Sequence, residues 1–234
     1  MKERTWERLG AAGGLAAAVL LLLAFMMVLN PPELTTGPGS ILRYLEDRRT
    51  AILTASMLTT LAAVVFLWFV AHLRHVLQRA EGGAEAFSPV VLVSGASLAT
   101  VCALAMVPMT ALAMLTAPPA RVGDVEAVRV LYAVHLLSLG PLGLLVALFA
   151  VSTGAAMVRR ELAGPWLGWL GMAVAVLGLV VGVGSFFTAP TGAMMGLAYA
   201  MGIAFALWIG AGSVAMLVRP EVERGSKVRG VFAH

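Results

Sequence analysis

The chain has 234 residues, 60% of them hydrophobic and 12% charged, with a formal net charge of +4. Soluble domains run at roughly 45–50% apolar and 25% charged, so this composition excludes a soluble enzyme or nucleic-acid binder and points to an integral membrane protein. One cysteine, Cys102, excludes a disulfide framework and a paired-cysteine metal site.

A hydrocarbon layer of about 30 Å takes about 20 mostly apolar helical residues. Six segments reach that length, at 10–29, 51–73, 89–116, 128–158, 166–188 and 194–218, so the fold class is an all-α, six-span membrane bundle forming a single domain. The first follows the basic stretch KERTWER and has the look of a secretory signal. It is too long for one, and FMMVLNPPE offers no small-x-small cleavage site, so a retained helix is expected.

Between spans one and two runs NPPELTTGPGSILRYLEDRRT, residues 30–50. Pro31, Pro32, Gly37, Pro38 and Gly39 break its first half. Ile41, Leu42 and Leu45 in the second half stand at helical spacing beside charges, which predicts a short interfacial helix. It would serve as a solvated connector or as a lid over a cavity.

Span two ends in His72 and His75 beside Arg74 and Arg79, read as interfacial residues. Span three carries Pro108 and span four Pro141, each of which removes a backbone donor and kinks its helix. Ser97, in GASLA, cannot use His135 as a base, because their depths along the membrane normal differ by about 10 Å at 1.5 Å per residue. The same argument separates His72 and His75 from His135 by around 20 Å and removes bis-histidine haem, so no cofactor is expected.

Span four holds the densest polar series, VRVLYAVHLLSLGPLGLL, in which Arg129, Tyr132, His135 and Ser138 recur every three residues on one face. Arg129 is expected to snorkel at the interface, Tyr132 to be an interfacial aromatic and Ser138 to bond back to its own helix. His135, about two turns deep, is either a neutral histidine satisfied by a Ser or Thr of another span or a residue lining a ligand cavity. These four form the candidate ligand-binding set.

Spans five and six are rich in small residues: Gly178 and Gly182, Gly192 and Gly196, then Gly202, Ala206 and Gly210. Such spacing lets helices touch, within the bundle or between copies. Residues 219–234 read as a polar cytoplasmic tail.

Sorting basic residues by alternate loops gives Lys2, Arg4, Arg8, Arg74, Arg79, Arg159, Arg160, Arg219, Arg224, Lys227 and Arg229 on one side, against Arg43, Arg48, Arg49, Arg121 and Arg129 on the other. Eleven against five places both termini in the cytoplasm. Trp6, Trp166 and Trp169 fall at the same inner interface. No Asp, Glu or Lys lies within a span, which argues against ion-coupled transport. Phosphate-loop and HExxH patterns are missing as well.

RTAIL at the start of span two, FLWFVAHLRHVLQRAEGG at its exit, GPWLGWLG opening span five and FALWIGAGSVAML in span six resemble a broad family of six-helix bacterial integral membrane proteins that contain a domain of unknown function. GPWLGWLG departs from the commoner LPRWLGWLG by losing the Arg. The resemblance implies the six-helix architecture and a bacterial cytoplasmic membrane, and transfers no function.

Two functional readings follow. The first is a non-enzymatic structural or accessory membrane subunit, in a homo-oligomer or a membrane protein complex. The second is a carrier or binder of a small apolar or weakly polar ligand, entering from outside between spans three, four and five through an outward-facing cavity near His135, with Pro108, Pro141, Gly182, Gly184 and Ser185 around it.

Overall fold

The computed structural model describes residues 2–81, 86–116, 125–160, 164–188 and 192–218. The described residues are helical with no strands: α1 (Lys2–Met27), α2 (Pro38–Asp47), α3 (Arg49–Glu81), α4 (Ser88–Leu115), α5 (Val125–Leu137), α6 (Leu139–Arg160), α7 (Pro165–Phe187) and α8 (Gly192–Val218). Six spans are long and apolar enough to cross a bilayer, with α5 and α6 together making the fourth. The chain is therefore a multi-pass membrane protein. The proposed tail, residues 219–234, and Arg121 lie outside the described residues, as do the side chains of Trp6 and Arg160.

The fourth span was expected as one helix over 128–158 and is instead interrupted at Ser138. The cause is Pro141. It lacks the N–H that would bond the Leu137 carbonyl, and its ring crowds that carbonyl. The Ser138 amide is shared between the carbonyls of Val134 and His135 at 3.2 Å each, and its hydroxyl donates to Val134 at 2.9 Å, as anticipated for a back-bonding serine.

Each span packs against the next along the chain, and α1 packs against α8, so the bundle closes into a ring. Glycine sets the approach of α6 to α7, backbone against backbone. A Cβ on Gly143 of α6 would stand 2.5 Å from the Gly182 nitrogen of α7, and one on Gly178 would stand 2.8 Å from the Gly143 carbonyl. The Gly178–Gly182 pair thus packs inside the bundle. Gly202 lies under the Phe25 ring of α1 and Gly210 against Ala18, while Gly196 faces open space. The outward faces carry Val64, Trp68, Leu104, Val107, Trp169, Val176 and Leu207 exposed, the pattern of a lipid-facing surface.

At mid-bundle Phe66, Phe149, Phe205 and Trp208 meet edge to face or tilted, with centroids 5.4–6.3 Å apart. The Trp208 indole N–H donates to the Leu167 carbonyl at 2.9 Å, which satisfies the one polar atom of this cluster. At the end away from α2, Glu81 is buried and accepts from the Phe87 amide at 2.7 Å and the Ser88 hydroxyl at 2.9 Å. It thereby caps the start of α4, where the first amides lack helical partners.

Candidate functional site

The α2 half of the bundle holds a partly open cavity of about 210 Å³. Its walls come from α1, α3, α4, α5, α6 and α8. Among them are Ala24, Ala55, Ala62, Ala63, Ala99 and Ala198, all buried, and Phe66 and Phe205 of the aromatic cluster. Small residues make up part of the wall, alongside larger Leu, Met and Phe side chains. On α3, Ala55, Ser56, Thr59, Ala62, Ala63 and Phe66 follow an i, i+3, i+4 rhythm, so one stripe of short side chains runs down the cavity wall.

Among the described residues no Asp, Glu, Lys or Arg lines the cavity. Its polar groups are few and placed on named elements. Ser56 and Thr59 come from α3, His135 and Tyr132 from α5 and Tyr199 from α8. His135 approaches α4 through Nδ1, 2.8 Å from the Ala105 carbonyl. A carbonyl only accepts, so Nδ1 carries a proton, and in the neutral imidazole Nε2 is then the acceptor. Ala105 lies three residues before Pro108, in the stretch of α4 that the proline loosens. The expected Ser or Thr partner is thus replaced by a main-chain carbonyl, and the same histidine also lines the cavity.

Tyr132 is fully buried and not an interfacial aromatic; its hydroxyl donates to the Pro32 carbonyl, while the Tyr199 hydroxyl donates to the Val28 carbonyl. Both acceptors belong to the segment between α1 and α2, where Asn30 adopts a left-handed φ of 53° to reverse the chain before Pro31. The third tyrosine, Tyr44 of α2, stands within electrostatic reach of the other two phenols. Its hydroxyl is buried with no partner among the described residues. Burial pushes the Tyr44 phenol above its ordinary value, against an opposing pull from Arg48.

α2 covers this end of the ring. Ile41 and Leu45 are fully buried, in one cluster with Ile52, Met109, Leu112, Val128, Tyr132, Leu136 and Met195. The sequence pattern of apolar residues on one face is therefore realised as an inserted cap. Glu33 ties the preceding segment to α8, accepting from the Gly192 amide at 2.8 Å at that helix's exposed N-terminus.

The expected set of four separates. Tyr132 and His135 line the cavity; Arg129 is exposed and does not, and the Ser138 hydroxyl is spent on its own helix. Of spans three, four and five, between which an entry from outside is expected, the first two line the cavity and the third does not. α7 contributes no lining residue, because Gly182 packs on Leu144, Gly184 on Met194, and Ser185 bonds back to Val181 at 2.7 Å. Sequence reasoning missed Ser56, Thr59 and Tyr199. The small-residue stripe in TASMLTTLAA was the signal for the first two. Among the described residues no cluster of His, Cys, Asp and Glu could hold a metal ion.

No protein-family model, no curated protein and no solved structure matches this chain.

Proposed function

We propose that the protein binds or carries a small apolar or weakly polar molecule in the cavity of its α2 half. The observation that carries this reading is the cavity itself: an uncharged space ringed by six helices and capped by α2 in a bundle otherwise packed through glycine contacts. Empty apolar space forfeits contacts and costs stability, so natural cores keep few voids of this size. Apolar cavities of about 150 Å³ already admit benzene. The accessory-subunit reading rests on the lack of Asp, Glu and Lys within the expected spans and of paired catalytic groups, which the ligand-binding reading explains equally well.

The positive-inside bias sets the α2 end on the outer face of a bacterial cytoplasmic membrane, with both termini inside. Membership of the six-helix family of unknown function is proposed on FLWFVAHLRHVLQRAEGG and GPWLGWLG.

Equilibrium dialysis of naphthalene against the full chain in lipid nanodiscs, corrected for empty discs, tests the reading. Saturable binding near one per chain is expected. Ala62→Leu, which fills the cavity from a buried wall position, is expected to weaken it at least tenfold, on the order of a lost apolar contact surface. No saturable uptake, or uptake indifferent to Ala62→Leu, removes the reading.

A further inference from the structure

We infer that the ligand is a neutral molecule with an apolar body and one hydrogen-bond-donating end, a hydroxyl in the simplest case, and that this end docks on Nε2 of His135. The inference rests on the cavity being the ligand site and adds the chemistry of what it takes.

Neutrality follows from the lining. With no Asp, Glu, Lys or Arg on the wall among the described residues, an ionic group would enter a low-dielectric space whose lining offers no charge to pair it. Most of the wall is Ala, Leu, Ile, Met and Phe, which fits an apolar body. The polar end is fixed by the tautomer. Nδ1 donates to Ala105, so Nε2 offers a lone pair and no proton. No other hydrogen bond of His135 exists among the described residues. A carbonyl-ended or ether-ended molecule would set lone pair against lone pair there, whereas an alcohol or phenol of the same skeleton completes the pair.

The two tyrosines that share the cavity do not compete for this role, because each donates its proton to the α1–α2 segment. The Ser56 and Thr59 hydroxyls also stand on the wall with no hydrogen bond among the described residues. They can accept from the ligand or donate to its oxygen, and so they support a hydroxyl without selecting for one.

Cys102 supplies a built-in reporter, as the only thiol of the chain and a residue of the cavity wall. The test measures how 2-naphthol, 2-methoxynaphthalene and 2-methylnaphthalene slow alkylation of Cys102 by N-ethylmaleimide at pH 7 in the full-length wild-type protein. Half-protection is expected at about tenfold lower concentration for 2-naphthol than for the other two, the scale of one hydrogen bond. His135→Phe is expected to erase that difference while all three compounds still protect.

Equal protection by 2-naphthol and 2-methoxynaphthalene in the wild type overturns the donor rule and leaves the cavity reading standing. Protection by none of the three overturns both. A preference for naphthol that survives in His135→Phe overturns the assignment to His135. If His135→Phe fails to fold, the wild-type comparison still decides the donor rule, and His135→Gln, whose amide can also accept, is expected to retain part of the preference.

Discussion

The Glu33 carboxylate accepts the Gly192 amide proton at 2.8 Å, joining the segment after α1 to the first turn of α8 across 159 residues of chain. Together with the Tyr132–Pro32 and Tyr199–Val28 hydrogen bonds, it pins one short segment over the end of the cavity from two sides. Glu33 acts both as an acceptor for an orphan helix amide and as a negative charge at the positive end of a helix dipole. Glu33→Ala should therefore lower stability by about 1 kcal/mol, the usual size of a lost N-terminal cap. It should also speed alkylation of Cys102, since the segment that covers the cavity loses an anchor. Thermal unfolding in detergent and the alkylation rate measure the two effects. An unchanged alkylation rate would show that this segment does not control access.

Tyr44 presents the opposite case, a buried polar atom that earns nothing. Its hydroxyl has no partner among the described residues, so Tyr44→Phe removes an unmet donor while keeping the ring. The variant should be as stable as the wild type or more stable by up to about 1 kcal/mol. The pH dependence carries a definite sign. The folded phenol titrates above its ordinary value of 10.0, so the folded state holds its proton more tightly than the unfolded state does. The associated stability is intact below pH 10 and is lost as pH rises through the folded value. Tyr44→Phe should flatten the alkaline decline in melting temperature. A decline equally steep in both proteins would mean that other groups cause it.

The contact between α6 and α7 separates two glycines of the same chemical type. A Cβ at Gly143 would meet main-chain atoms of Gly178 and Gly182 at 2.5–2.7 Å, and backbone cannot rotate away as a side chain can. Gly143→Ala should destabilise by about 1–3 kcal/mol or prevent assembly of the pair. Gly196, with nothing within 4 Å of its Cβ position, should accept alanine with no loss. Its helix should gain at most about 1 kcal/mol from the reduced backbone freedom. Similar melting shifts in the two variants would contradict the close packing described for Gly143.

Much of this architecture was legible in the sequence because a bilayer imposes a length and a polarity on every crossing. The six spans, the α2 helix in SILRYLED and the internal packing of Gly178 with Gly182 all follow from local rules. The break at Ser138 was half legible. Pro141 announced a kink, and only the arrangement of the preceding turn decided where it fell. The cavity was not legible, because a small residue gives the same signal whether its neighbour fills the gap or is small as well. Gly143 meets a backbone and Ala62 borders the cavity, and nothing in the local sequence of either distinguishes the two cases. Tyr132 was misjudged for a related reason. An aromatic near a span's end suits the interface, and its buried bond to Pro32 depends on a segment 100 residues away in sequence.

Orientation is the prediction that depends most on charge and least on packing. Gly39 of α2 is exposed with open space around it, and His75 is exposed near the opposite end of α3. The 33 residues of α3 rise about 50 Å at 1.5 Å each, well beyond a hydrocarbon core of about 30 Å, so its two ends must emerge on different sides. The bias of eleven basic residues against five predicts that the His75 end lies inside. In a Cys102→Ala background, Gly39→Cys should react with a membrane-impermeant maleimide in intact cells, and His75→Cys should react only after lysis. Both sites labelling before lysis would refute the crossing of α3. The reverse order would keep the crossing and invert the protein, placing the α2 cap and the cavity behind it on the cytoplasmic face.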